Sequence, residues 1–218
     1  MNSFKFFILN LILAFGLLTP SFAQYSLTVE SAPAVSIGEI GANNVPSLVP
    51  ENSMVYRFYV NMADTLDQFS AVFGNNEAAL DISVPDGAFN SSFNASWSAS
   101  GINPMFLPFF LDMADDTYAT IGLTGPAASS GIAGAADPSL VEDSAQPIKP
   151  FFETNGSTEL LSNTLTGASY YVLNTAGNSL PDADQRVLVM QITTTGSCLL
   201  YTSPSPRDMR RSRMPSSA

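Results

Sequence analysis

An antiparallel β-sandwich is the fold the sequence predicts, and three observations predict it. Seven segments of strand length alternate or run apolar, and they are rich in Val, Ile, Thr, Phe and Tyr. Gly, Pro, Asn, Ser and Thr interrupt nearly every window long enough for three helical turns. Turn chemistry separates the apolar segments at Gly74-Asn75-Asn76, Pro85-Asp86-Gly87, Gly125-Pro126 and 177–184.

Taken in order, the first strand is expected at 25–31, where Tyr, Leu and Val alternate with Ser, Thr and Glu. Residues 38–53 read as an inserted loop before the next strand. The segments 54–62 and 186–195 alternate most strongly, and both are expected as central strands with one face buried. Shorter strands are expected at 69–73, 80–84, 117–123 and 169–174. The stretch 103–113, NPMFLPFFLDM, is very apolar but holds Pro104 and Pro108. It is expected as a short helical turn plugging one end of the core, with an exposed adhesive patch as the alternative. Residues 127–150 are small, polar and proline-bearing, and read as a long surface loop. The absence of a fixed-period repeat sets aside solenoids and propellers.

The two ends differ from the body. Residues 1–23 carry Lys5, an apolar run and the small-residue exit Ser21-Phe22-Ala23, the pattern of a secretory signal peptide. A membrane span would need roughly 20 uninterrupted apolar residues, whereas Asn10 and Pro20 break the run. No membrane span is expected once this segment is removed. Gln24, in place of a cysteine, gives no sign of a lipid anchor. At the other end, 198–218 holds four of the chain's 8 bases and its only cysteine. It resembles translated sequencing adapter over 198–208 and again over 212–218. The resemblance implies a non-native tail that packs against nothing specific, and a domain truncated at its C-terminus near Ser197. The hairpin partner of 186–195 is expected to be lost with it.

Residues 24–197 are then a single domain of about 174 residues, long enough for a good core. They keep Arg57, Lys149 and Arg186 against 18 acids, a net charge of −15. Such a field repels nucleic acid, whose binding needs Lys and Arg to displace counterions. With no histidine, and no cysteine before Cys198, there is no thiolate nucleophile, His-based triad or nitrogen-sulfur zinc site. Carboxylate chemistry and hard, oxygen-seeking cations remain.

Two acidic groups are candidate calcium ligands, because calcium takes six to eight oxygens in a flexible shell. One is Asp112, Asp115 and Asp116 ahead of a strand; the other is Asp182 and Asp184 in a turn with Asn178 nearby. The competing reading is a set of solvated turns whose carboxylates hydrogen-bond the local backbone. Hydrolysis would need two facing carboxylates, for which Glu77, Glu142, Glu153 and Glu159 are available but unpaired in sequence. Trp97, Tyr118, Tyr170 and Tyr171 could form a sugar-stacking face or cap the core. Asn90, Asn94 and Asn155 head glycosylation tripeptides that an Asn- and Ser-rich chain produces by accident.

The stretches VYRFYVNMADTLDQFSAVFGNNEAALDIS and LPDADQRVLVMQITTTGS resemble a group of secreted proteins of marine bacteria and metagenomes that has no assigned activity. The resemblance implies export and a chain continuing past Ser197. The functional expectation is a secreted, non-catalytic structural or adhesive module, stabilised by calcium where the aspartates bind it, with a cell-surface or matrix polymer as partner. The alternatives are a carbohydrate-binding module and a carboxylate-dependent glycoside hydrolase.

Overall fold

Strand-forming segments need partners for their N–H and C=O groups, and in the computed structural model these partners lie far apart in sequence. The structure describes residues 25–202, so the leader expected at 1–23 and the stretch after 202 lie outside the described residues. The strands are β1 (Ser26–Pro33), β2 (Met54–Asn61), β3 (Ala71–Gly74), β4 (Leu80–Ala88), β5 (Tyr118–Ala119), β6 (Ser139–Glu142), β7 (Ser157–Ser162), β8 (Ala168–Tyr171), β9 (Arg186–Thr194) and β10 (Leu199–Thr202). They form three antiparallel sheets, ordered β1-β2-β9-β5, β10-β4-β7 and β3-β8-β6. Among the described residues there are short 3-10 turns and no α-helix. The all-β expectation therefore holds at the level of class.

One core joins the sheets. Phe58 of β2, Leu80, Ile82 and Val84 of β4, Leu160 of β7, Tyr170 of β8 and Val187, Val189, Met190 and Ile192 of β9 meet in it. In β4 these residues alternate and turn one row inward, whereas in β9 the register skips Val189 between Tyr59↔Leu188 and Phe58↔Met190, so the neighbours Val189 and Met190 both reach the core. The Tyr170 hydroxyl, fully buried, donates to the Val189 carbonyl at 2.8 Å, which satisfies the one polar atom the ring brings inside.

β2 and β9 are central, as their alternation predicts, with register Met54↔Thr194 to Asn61↔Arg186 and a bulge between Phe58 and Tyr59. Two expectations about β9 need correction. Val187 to Thr194 are all buried, so both faces are covered. Met190 and Ile192 enter the core, while Gln191 and Thr193 bond the loops around Phe89 and 114–117. β9 also lacks no partner, since β2 and β5 flank it on either side.

Other segments differ too. Of the 117–123 run only Tyr118 and Ala119 form a strand; beyond them Thr120 N and Gly122 N still donate to Val189 O and Leu188 O of β9, and the Thr120 hydroxyl donates to Leu123 O at 2.7 Å to close a turn. The 127–150 stretch contains β6, and 157–162, not foreseen as a strand, forms β7. The tail does not pack against nothing: β10 lies on β4 in register Leu199↔Ser83 to Thr202↔Leu80, with Cys198 and Leu200 against the core. An open sheet edge offers unpaired N–H and C=O groups to any extended apolar segment, and Cys198-Leu199-Leu200 is such a segment.

Candidate functional site

The acids near 112–116 are drawn into the molecule by backbone donors. The 3-10 turn Leu111–Asp115 follows the apolar 103–110 loop, and Asp112, Asp115 and Asp116 are each about 1% exposed. Asp115 accepts from Val35 N at 3.0 Å, Ser36 N at 2.8 Å and the Ser36 hydroxyl at 2.6 Å, which ties the chain leaving β1 to this turn. Asp116 accepts from Ser91 N and Asn94 Nδ2, both at 2.6 Å. Asp112 accepts from the Ser91 hydroxyl at 3.2 Å, and its second oxygen, buried, has no hydrogen-bond partner.

The cluster thus divides: Asp115 faces the 35–36 backbone, while Ser91 bridges Asp112 and Asp116. Burial raises the Asp116 pKa to about 7, against hydrogen bonds from Asn94 and Ser91 that lower it, and the nearby Asp112 charge adds to the rise. Burial raises Asp112 as well, opposed first by the Ser91 hydroxyl. Among the described residues no basic side chain pairs with either carboxylate, so burial, and to a smaller degree the neighbouring charge, favours the protonated form of Asp116.

The second acidic group is not brought together as expected. Asn178 is buried, and its amide is consumed by Ala136 N at 2.9 Å, Ile121 O at 2.6 Å and Ala136 O at 3.1 Å. It pins the 120–136 region rather than joining Asp182 and Asp184. Gly122, at φ +67°, leaves room for this bracket, since a Cβ there would lie 2.2 Å from the Asn178 carbonyl oxygen. Asp182 closes its own turn by accepting from Asp184 N and Arg186 N. The cation beside these acids is Arg186, which contacts Asp182 at 3.7 Å, Asp184 at 3.6 Å and Glu30, and stacks 4.1 Å over the Tyr59 ring. Among the described residues, no set of three or more acidic or other ligating side chains is grouped for a metal ion.

The aromatic and glutamate candidates are likewise dispersed. Tyr118 and Tyr170 are buried, and half-buried Trp97 tilts against Tyr170 with ring centroids 6.1 Å apart. These rings pack the core and form no exposed row. Glu142 accepts from Ile148 N and Lys149 N, and Glu153 pairs with Lys149 at 3.4 Å. Glu77 stands exposed in a turn and Glu159 on β7 opposite Ser83. Asn90 and Asn94 are buried, with the Asn90 Nδ2 donating to Phe151 O and Thr154 O while its Oδ1 has no partner, and the Asn94 Nδ2 donating to Asp116; Asn155 is exposed and accepts from Asn90 N.

Within the 103–113 stretch, expected as a turn plugging the core with an exposed patch as the alternative, the 103–110 loop does both. Its successive tight turns run Phe106 N to Asn103 O and Phe109 N to Phe106 O, both 2.9 Å. That spacing of three sends Leu107 and Phe110 inward against Ile102, Met113 and Tyr118, with Phe110 stacked 3.9 Å from Phe93. It leaves Met105, Phe106 and Phe109 outward, 77%, 51% and 41% exposed. The adjoining loop is held close by Ala42 N to Pro108 O, and a Cβ on Gly41 would sit 2.1 Å from the Phe109 oxygen. Next to that glycine, Ile40 is also exposed.

A polar ladder missed by sequence reasoning crosses the four-stranded sheet. Arg57 Nε donates to Gln191 Oε1 at 2.9 Å, and the Tyr118 hydroxyl donates to the same oxygen at 3.3 Å. Gln191 Nε2 passes on to Ala114 O at 3.1 Å and Asp116 O at 2.8 Å. Arg57 itself is exposed. Comparison with known protein families, with curated proteins and with solved structures gives no match.

Proposed function

We propose that residues 24–197 form a secreted, non-catalytic β-sandwich module with a structural or adhesive role at the cell surface or in the extracellular matrix. The observation that carries this reading is the 103–110 loop. Three large apolar side chains, Met105, Phe106 and Phe109, face water from a loop fixed by backbone hydrogen bonds and a buried aromatic stack. Apolar side chains gathered on an ordered surface mark contact sites on soluble proteins, and a fixed loop loses little entropy on contact. The loop carries no charge between Phe89 and Leu111, so an uncharged polymer meets it without the repulsion that the acidic remainder imposes on anions.

The test is co-sedimentation of the protein with particulate, uncharged extracellular polymer. Met105→Ser/Phe106→Ser/Phe109→Ser should lose retention at least tenfold while its melting temperature stays within a few degrees, since all three side chains are exposed. Equal retention of the two proteins would remove this loop from the adhesive surface. Hydrolysis of the polymer by the wild type would replace the non-catalytic reading with the glycosidase one.

A further inference from the structure

Arg57 stands in a different place and in an unusual electrostatic position. Lys149 pairs with Glu153, and Arg186 with Glu30, Asp182 and Asp184. Arg57 alone among the bases of the described residues has no carboxylate within salt-bridge distance, although acids outnumber bases heavily. Its Nε is fixed by buried Gln191, which anchors the guanidinium while leaving its two terminal nitrogens unused. It lines a groove of about 450 Å³ together with β1 from Glu30 to Pro33, Val35, Val55, Ala114 and Asp115. The two acids of the groove are already engaged, Glu30 by Arg186 and Asp115 by the Val35 and Ser36 donors.

We propose that this groove binds a monocarboxylate carried on an apolar body. A guanidinium held at Nε presents its terminal N–H groups as a fork matching the two oxygens of a carboxylate. Ala32, Pro33, Val35, Val55 and Ala114 supply apolar wall, and the volume suits a small ligand or the last residues of a peptide. Net charge selects further. A domain at −15 repels polyanions at long range, whereas a single carboxylate on an otherwise neutral molecule meets little of that barrier and gains the local contact. The groove shares no residue with the 103–110 loop, so the two inferences stand separately.

The chemistry has two sources, a free small acid or a peptide C-terminus, and titration calorimetry with three probes separates them. Hexanoate represents the free acid, an acetylated tripeptide ending in leucine represents the C-terminus, and the same tripeptide amidated at its C-terminus is the control. Hexanoate and the free-acid peptide should bind, and the amidated peptide should bind at least tenfold more weakly. Tighter binding of the peptide than of hexanoate assigns the site to C-termini, and the reverse assigns it to small acids. Arg57→Gln should weaken both acids at least tenfold while the protein stays folded with a melting temperature only a few degrees lower, the loss expected from the Gln191 hydrogen bond, and Arg57→Lys should restore part of the loss in binding. Val55→Ala, which keeps the charge, should weaken hexanoate more than acetate. Unaltered binding by Arg57→Gln, equal binding of the amidated peptide, or no binding of any acid at millimolar concentration would overturn the proposal.

Discussion

Ser91 holds two carboxylates at once, its N–H on Asp116 and its hydroxyl on Asp112, and this small arrangement sets a pH dependence. The folded-state pKa of Asp116 is raised from 3.8 to about 7, so the native protein keeps a proton that the unfolded chain releases. Stability is therefore greatest below about pH 4 for this group, falls as pH rises toward 7, and is level above that. A shift of this size corresponds to at most about 4 kcal/mol. Melting temperature measured at constant ionic strength should decline from pH 5 to pH 8. Asp112→Asn removes the neighbouring charge and the carboxylate oxygen without a partner, so it should raise the melting temperature at pH 8, while most of the decline between pH 5 and pH 8 persists because burial of Asp116 sets it. Destabilisation by Asp112→Asn at both pH values would show that the cluster is not repulsive. The sequence displayed these aspartates as a group, but could not show that Asp115 turns to Ser36, 79 positions away, while its neighbours turn to Ser91. Arg57 and Gln191 were illegible for the same reason, since 134 positions separate them and only the strand register brings them together.

Strands were legible where one face is apolar and the other polar, because alternation is then written in the residues. β1, β2, β4 and β9 are of this kind, although the covering of β9 on both faces depends on loops that no local pattern encodes. β6 and β7 were missed because Ser-Leu-Val-Glu and Ser-Thr-Glu-Leu-Leu-Ser are short and half polar, and pairing with β8 and β4 decides their state. The 103–113 stretch was legible only in part, as a turn packed on the core through Leu107, Phe110 and Met113; hydrophobic content says nothing about direction, and its turns, spaced by three, leave Met105, Phe106 and Phe109 in solvent. At the edge of β4, β10 now covers the backbone of Leu80–Ser83. Ending the chain at Ser197 exposes that edge. The shortened protein should associate as concentration rises in size-exclusion runs, whereas the full chain should stay at its smaller size. Identical elution of the two would mean that β10 protects nothing.

Charge dominates behaviour at the scale of the whole molecule. A net −15 on residues 24–197 opposes compaction by self-repulsion, and salt relieves it by screening. A dedicated calcium site would add stability as RT ln(1 + [L]/Kd), about 2.7 kcal/mol at a hundredfold excess over Kd. Arg186 already stands between Glu30, Asp182 and Asp184, so the expected outcome is general screening. Calcium, magnesium and sodium chlorides at matched ionic strength should raise the melting temperature alike, and Asp182→Asn/Asp184→Asn should leave that response unchanged. A larger rise in calcium, abolished by the double substitution, would establish the calcium site instead.

The same opposition between charge and apolar contact offers the most direct test of the adhesive reading. Retention on uncharged alkyl-coated beads, followed from low to molar sodium chloride, separates the two forces, since salt weakens attraction between charges and does not weaken apolar contact. Wild-type protein should be retained more strongly as salt rises, and Met105→Ser/Phe106→Ser/Phe109→Ser should elute early at every concentration. Retention that falls with salt, or that persists in the triple variant, would contradict an adhesive surface built on the 103–110 loop.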